Sequence, residues 1–160
     1  MPGWLGHKTP FAFDKDYAPA DHAARFVAGT PPILSLSALS GALDVFENID
    51  RQALANKTRI LTSLAFSRAA GLGLETTSPA EVARRGGHIS LLHENGYAIV
   101  QALAARGIMA DFRTPDTIRF GFSPLYLGAA QVWDVMDALG DVLETRSWDT
   151  PEFRVRAEGT

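Results

Sequence analysis

The sequence contains no cysteine in its 160 residues. Disulfide bonds and metal sites with thiolate ligands are therefore excluded, and the absence fits a protein of the reducing cytoplasm. No apolar run approaches the ~20 residues that a membrane-spanning helix needs. The first residues, Met1 to Trp4, also lack the basic and then apolar layout of a signal peptide. We therefore expect a cytoplasmic protein that does not associate with membranes.

An excess of charge of one sign is also missing. Lys and Arg number 15 and Asp and Glu 18, which gives a net charge of −3. Because the basic residues are scattered rather than clustered, we expect no nucleic-acid partner. The nucleophile elbow G-x-S-x-G, the phosphate-binding loop and the dinucleotide motif G-x-G-x-x-G are absent. The four histidines have no spacing typical of a metal site, so we predict none.

The composition is that of an ordinary folded domain, with 46% hydrophobic and 21% charged residues. Prolines and glycines before residue 33 predict an extended, irregular lead-in over residues 1–32. Residues 33–146 are predicted to form an α+β domain, a small antiparallel sheet with helices packed on one face. Residues 147–160 are predicted to be a polar, frayed tail.

The α+β interpretation depends on the order of periodic segments after the lead-in. Hydrophobic periodicity and turn residues predict two helices, two strands, a helix, two strands and a helix. The first predicted helix begins at residue 35, and the other three cover residues 51–70, 97–106 and 129–143. The predicted strands cover residues 72–76, 88–93, 108–113 and 117–122.

Two candidate binding residues lie in the lead-in. Trp4, in a Gly-Trp-Leu-Gly-His segment, offers an indole N–H donor and a large apolar face. Thr30 precedes two prolines that fix the backbone, and its hydroxyl with nearby N–H groups suits a phosphate oxygen. Each also has a plainer interpretation, as a core or interface tryptophan and as a turn threonine that caps the next helix. His7 is expected to shape the loop around Trp4.

A third candidate, Arg119, lies in a predicted strand. Strand alternation places its side chain on the face opposite to Ile118 and Phe120. A planar guanidinium can bind a carboxylate through two parallel hydrogen bonds, a task that lysine performs less well. The alternative is an arginine that extends into solvent or pairs with an acidic residue.

Three segments together resemble motifs of kynureninases: Gly-Trp-Leu-Gly-His at 3–7, Gly-Thr-Pro-Pro-Ile-Leu at 29–34 and Arg-Phe-Gly-Phe-Ser-Pro-Leu-Tyr at 119–126. The resemblance extends over about residues 3–154 and concerns the C-terminal portion of that family. It implies the small-domain fold of aspartate-aminotransferase-type enzymes that use pyridoxal 5'-phosphate (PLP). It also implies a homodimer that hydrolyses L-kynurenine to anthranilate and L-alanine in tryptophan catabolism.

The same resemblance implies roles for the three candidates. Trp4 and Thr30 would help to bind the PLP phosphate of a neighbouring subunit, and Arg119 would bind the substrate α-carboxylate. A threonine at position 30 resembles the bacterial form, which favours plain over hydroxylated kynurenine. The lead-in would then belong to the active-site and dimer region.

The chain is expected to contain no catalytic residue of its own. The lysine that forms the Schiff base with PLP would precede the Trp4 motif, and Lys8, Lys15 and Lys57 do not match its context. We therefore expect the isolated chain to be inactive. Two alternatives stay open at this stage: a non-catalytic separate subunit or gene relic of the same family, and a related PLP-dependent lyase.

Overall fold

The computed structural model describes residues 3–155. The chain divides into two compact units, Met1–Ile49 and Asp50–Thr160. In the first unit, the lead-in folds into three short 3₁₀ turns, Trp4–Gly6, Pro10–Ala12 and His22–Phe26. Helix α1 (Ile33–Asp44) follows directly after the two prolines, two residues earlier than predicted. This helix exposes its large apolar side chains, which are those of Ile33, Leu34, Leu36, Leu39 and Leu43.

The second unit is a four-stranded antiparallel sheet with helices. Its helices are α2 (Arg51–Gly71), α3 (Gly96–Ala105), α4 (Ala129–Glu144) and α5 (Pro151–Arg154). Its strands are β1 (Glu75–Thr76), β2 (His88–Leu92), β3 (Asp111–Arg113) and β4 (Thr117–Gly121). The strand order is β1-β2-β4-β3, and every neighbouring pair is antiparallel. The predicted fold class is confirmed.

Side-chain alternation separates the two faces of this sheet. Ile89 and Leu91 of β2 pair with Phe120 and Ile118 of β4, and all four are fully buried. They pack with apolar residues of the helices, including Leu61 and Ala65 of α2, Ile99 and Leu103 of α3, and Met136 and Leu139 of α4. The intervening pair, Ser90 and Arg119, therefore lies on the face opposite to this core.

Local signals explain where the long helices begin and end. The Asp50 carboxylate caps α2 by accepting hydrogen bonds from the backbone N–H groups of Gln52 and Ala53, at 2.8 and 3.1 Å. Gly73, with a φ of +73°, ends α2 because the left-handed conformation costs glycine little. Gly107, with a φ of +79°, ends α3 in the same way.

Two predicted strands are shorter than expected because helix caps use their first residues. The Leu74 N–H donates to the carbonyl of Ala69, so β1 cannot begin at residue 72. The Ile108 N–H donates to the carbonyl of Leu103, and β3 begins only at Asp111. Hydrophobic periodicity therefore predicts the helices themselves, but it does not distinguish the cap residues after each helix from the first residues of a strand.

The frayed end expected after Arg146 does not occur in residues 147–155. Trp148 is only 5% exposed and belongs to the core cluster, and α5 packs against α3. The burial of one large aromatic side chain offsets the entropy cost of ordering this short segment. Residues 156–160 of the predicted tail lie outside the described residues.

Among residues 3–155, no helix has the length and apolar character needed to cross a lipid bilayer.

Candidate functional site

The loop around Trp4 depends on two close backbone approaches at glycines. A Cβ atom at Gly3 would lie 2.0 Å from the Cα of Ala28, and one at Gly6 would lie 2.3 Å from the carbonyl oxygen of Arg25. No side chain fits at either position without a shift of the backbone. The glycines of the Gly-Trp-Leu-Gly segment therefore allow it to pack against residues 25–28, which lead directly to Thr30.

His7 holds the same loop together from inside. Its side chain is buried, and its Nδ1 accepts a hydrogen bond of 2.9 Å from the Thr9 N–H. Since Nδ1 is the acceptor, Nε2 carries the proton and donates to the carbonyl of Asp16 at 3.2 Å. The expectation that His7 shapes the loop is confirmed.

Trp4 and Thr30 both leave polar atoms available for a ligand. Trp4 is 51% exposed and contacts Phe11 edge-to-face, with ring centroids 5.6 Å apart. Thr30 is exposed. Within residues 3–155, neither the Trp4 indole N–H nor the Thr30 hydroxyl has a hydrogen-bond partner. Trp4 also borders a hollow of about 470 Å³, which is lined by Trp4, His7, Thr9, Pro10, Phe13, Asp14, Lys15 and Tyr17.

Arg119 lies on the sheet face opposite to the hydrophobic core and pairs with an acidic residue. Its partner is Asp111, the residue directly opposite on β3. Both the Nε and the Nη2 of Arg119 donate to the same oxygen, Oδ2 of Asp111, with the Nε contact at 2.9 Å. The Arg119 side chain is 36% exposed. Pairing with an acidic residue is one of the two alternatives to a substrate role. The observed ion pair is also compatible with a substrate role, because it engages only part of the Arg119 guanidinium.

A second guanidinium reaches the same carboxylate. The Nε of Arg113 donates to Oδ2 of Asp111 at 3.1 Å. The hydrogen bond from Arg119 is the main cause that lowers the pKa of Asp111, and the charges of Arg113 and Arg119 lower the pKa further. Asp111 is therefore ionised at neutral pH. The three side chains together carry a net charge of +1.

Asp111 was missed in the sequence analysis, although the sequence contains the signal for it. A three-residue turn, residues 114–116, joins the two predicted strands of a hairpin. Counting outward from this turn pairs Arg113 with Thr117, and therefore Asp111 with Arg119, as the structure has it. Opposite charges at directly paired positions predict an ion pair on one face of the sheet.

No group of three or more His, Asp or Glu residues within the described part of the chain could hold a metal ion.

Comparisons with known proteins identify the family. A sequence model of the kynureninase C-terminal domain matches residues 51–139, which is more than half of the chain. A protein named kynureninase from Burkholderia mallei is 42% identical over the whole chain, and one from Pseudomonas fluorescens is 41% identical over 98% of it. The chain spans only 39% and 38% of the lengths of these two relatives.

Solved structures support the fold independently of sequence identity. An apo cysteine desulfurase from Thermococcus onnurineus superposes on 81% of this chain with a TM-score of 0.70 at 17% identity, and the match covers 36% of that protein. A NifS-like protein superposes on 82% of the chain with a TM-score of 0.62 at 16% identity, covering 41% of its own length. These likenesses bear out the predicted small-domain fold of aspartate-aminotransferase type. The motifs, the matched domain and the sequence relatives agree, and this chain belongs to the kynureninase family and carries its C-terminal domain.

Proposed function

We propose that this chain forms the C-terminal region of a PLP-dependent kynureninase, in which Arg119 binds the α-carboxylate of L-kynurenine. The complete enzyme is a kynureninase of the relatives' length that contains this region. The observation that carries the proposal is the position of the Arg119 guanidinium. It lies on the sheet face opposite to the hydrophobic core and has one end unpaired within residues 3–155. The reaction is the hydrolysis of L-kynurenine to anthranilate and L-alanine.

Arg119 contributes binding and orientation to this reaction. A guanidinium with a free end presents two parallel N–H groups, which match the two oxygens of a carboxylate. Such a pair fixes the direction of the amino acid as well as its position, because both oxygens are engaged. The surplus positive charge of the Asp111, Arg113 and Arg119 cluster favours an anionic ligand.

Trp4 and Thr30 fit a contribution to the phosphate site of PLP. The Trp4 indole N–H and the Thr30 hydroxyl are hydrogen-bond donors with no partner inside residues 3–155, and phosphate oxygens are strong acceptors. The close backbone approaches at Gly3 and Gly6 hold the Trp4 segment against residues 25–28, which lead to Thr30. When bound, PLP supplies the electron sink that stabilises carbanions formed from the substrate. The chain's own residues would bind and orient, and the lysine that holds PLP covalently would belong to the rest of the complete enzyme.

The organisation of the complete enzyme is part of the same proposal. Residues 1–32 belong to the active-site and dimer region, residues 33–146 belong to the small domain, whose core also includes Trp148, and the enzyme is a cytoplasmic homodimer. Trp4 and Thr30 then act on the cofactor of the neighbouring subunit. Thr30 in place of a larger amide side chain favours kynurenine over its hydroxylated form.

Arg119→Lys in the complete enzyme tests this function. Lysine keeps the positive charge but loses the planar fork, so we expect KM for L-kynurenine to rise about tenfold or more, with a smaller change in kcat. Loss of one charge-assisted hydrogen bond costs about 1.5–3 kcal/mol, and 1.4 kcal/mol corresponds to tenfold. The measurement is the rate of anthranilate release as a function of substrate concentration.

Arg106→Lys provides a matched control, because Arg106 also pairs with an exposed aspartate, Asp141, but outside the sheet. We expect this variant to keep the kinetic constants of the unmodified enzyme. Unchanged KM and kcat in Arg119→Lys would remove Arg119 from the substrate site. A complete enzyme that releases no anthranilate from L-kynurenine would refute the activity itself.

A further inference from the structure

The ion pair between Asp111 and Arg119 uses only one edge of the guanidinium. Nε and Nη2 lie on the same side of the Arg119 side chain, and both donate to Oδ2 of Asp111. A guanidinium has five N–H groups, so three remain: two on Nη1 and one on Nη2. Two of these three point in parallel from the end of the group. Within residues 3–155, this end has no hydrogen-bond partner.

Asp111 is itself held in place by the sheet. It lies on β3 directly opposite Arg119 of β4, and cross-strand neighbours on one face are close enough for their side chains to interact. Strand β4 is anchored by Ile118 and Phe120, the buried neighbours of Arg119. Strand β3 is anchored by Phe112, which is partly buried against the core. The carboxylate therefore has a defined position from which it can orient a long and otherwise flexible side chain.

Arg113 prevents Asp111 from cancelling the charge of Arg119. Its Nε contacts the same Oδ2 at 3.1 Å, so one carboxylate is shared between two guanidinium groups. An isolated aspartate–arginine pair would be neutral and would offer an anion little electrostatic attraction. The three-residue cluster keeps one positive charge while it fixes the geometry of Arg119.

We infer that Asp111 is a positioning residue for the carboxylate site: it holds Arg119 by the Nε edge and directs the unpaired end of the guanidinium toward the substrate. This inference rests on the proposed role of Arg119. It assigns to Asp111 no contact with substrate or cofactor. Arg113 serves as the counter-charge that leaves Arg119 able to bind an anion.

Asp111→Ala in the complete enzyme tests the inference. Without its acceptor, the Arg119 side chain samples several rotamers, so binding the substrate carboxylate requires Arg119 to be ordered first. We expect KM for L-kynurenine to rise about tenfold, less than the hundredfold that a misplacement of about 1 Å can cost, with kcat changed less than about twofold. Asp111→Asn keeps an oxygen acceptor and should recover part of the loss. The double variant Asp111→Ala/Arg119→Lys should be no worse than Arg119→Lys alone.

Asp141→Ala is the matched control, because it removes the carboxylate of the exposed Arg106–Asp141 pair and leaves the sheet face intact. It should leave KM unchanged. If Arg119→Lys raises KM but both Asp111 variants leave it unchanged or lower it, Asp111 does not position Arg119, and the proposed function stands. If Arg119→Lys itself has no effect, the proposed function fails and the role of Asp111 fails with it. If Asp111→Ala and Asp111→Asn lower kcat and raise KM to the same extent, the damage is general, and this result would also overturn the inference.

Discussion

Replacing Arg85 by methionine is expected to lower the free energy of unfolding of the chain by about 3 kcal/mol. Arg85 is only 9% exposed, and its guanidinium donates to three backbone carbonyls, those of Pro79, Ala80 and Thr62, at 2.9, 2.9 and 3.0 Å. It also lies over the ring of Phe66 at 4.2 Å. These contacts tie the segment before β2 to helix α2. Methionine fills part of the space but leaves the carbonyls of Pro79 and Ala80 without their donor.

Arg84→Met is the matched control for this prediction. Arg84 is the preceding residue, its side chain is exposed, and it makes no side-chain hydrogen bond within residues 3–155. We expect its replacement to change the free energy of unfolding by less than about 0.5 kcal/mol. Both values are measured by urea unfolding followed by circular dichroism. Equal stabilities of the two variants would show that the Arg85 contacts are not a significant part of the fold's stability.

Replacing Trp148 by alanine is expected to lower the free energy of unfolding by about 3–5 kcal/mol. Trp148 is 5% exposed in the core cluster and meets the His93 ring edge-to-face, with centroids 5.9 Å apart. Arg146 and Arg154 lie over its ring at 5.2 and 5.9 Å. Its loss leaves a cavity beside α5, whose Arg154 and Phe153 then lose part of their support.

Trp133→Ala separates this effect from the loss of any tryptophan. Trp133 is 46% exposed on α4, and its ring lies under the guanidinium of Arg68 at 4.1 Å. We expect its replacement to lower the free energy of unfolding by about 1 kcal/mol, which is the contribution of a surface cation–π contact. The measurement is the thermal unfolding midpoint of Trp148→Ala and of Trp133→Ala, each compared with the unmodified chain. A Trp148→Ala variant as stable as Trp133→Ala would mean that residues 147–155 are not part of the core.

Most of the fold could be predicted from the sequence because its signals are local. The periodicity of α2 and α4, the glycines after the helices and the alternation in β4 each depend on residues a few positions apart. The motif resemblance added the family and the small-domain fold, and both are confirmed. Strand register was also within reach, since the turn before Thr117 fixes the pairing of Asp111 with Arg119.

The features that were missed depend on residues far apart in the chain. Trp148 is buried by packing with residues such as His93, which lies far earlier in the chain. No local pattern distinguishes it from an exposed tryptophan in a polar tail. Arg85 binds the carbonyl of Thr62 in α2, and the Arg85 segment reads as a polar loop. Packing and backbone acceptors at long range leave no periodicity in a single sequence, so these contacts became visible only in the structure.

A structure of the complete enzyme with a non-reactive kynurenine analogue tests the central claim most directly. We predict that the α-carboxylate of the analogue lies against the Nη1 and Nη2 atoms of Arg119, while Oδ2 of Asp111 stays on the Nε edge. The expected distances between the guanidinium nitrogens and the carboxylate oxygens are about 2.7–2.9 Å. An analogue whose carboxylate is bound by other residues, with Arg119 contacting only Asp111, would contradict the account.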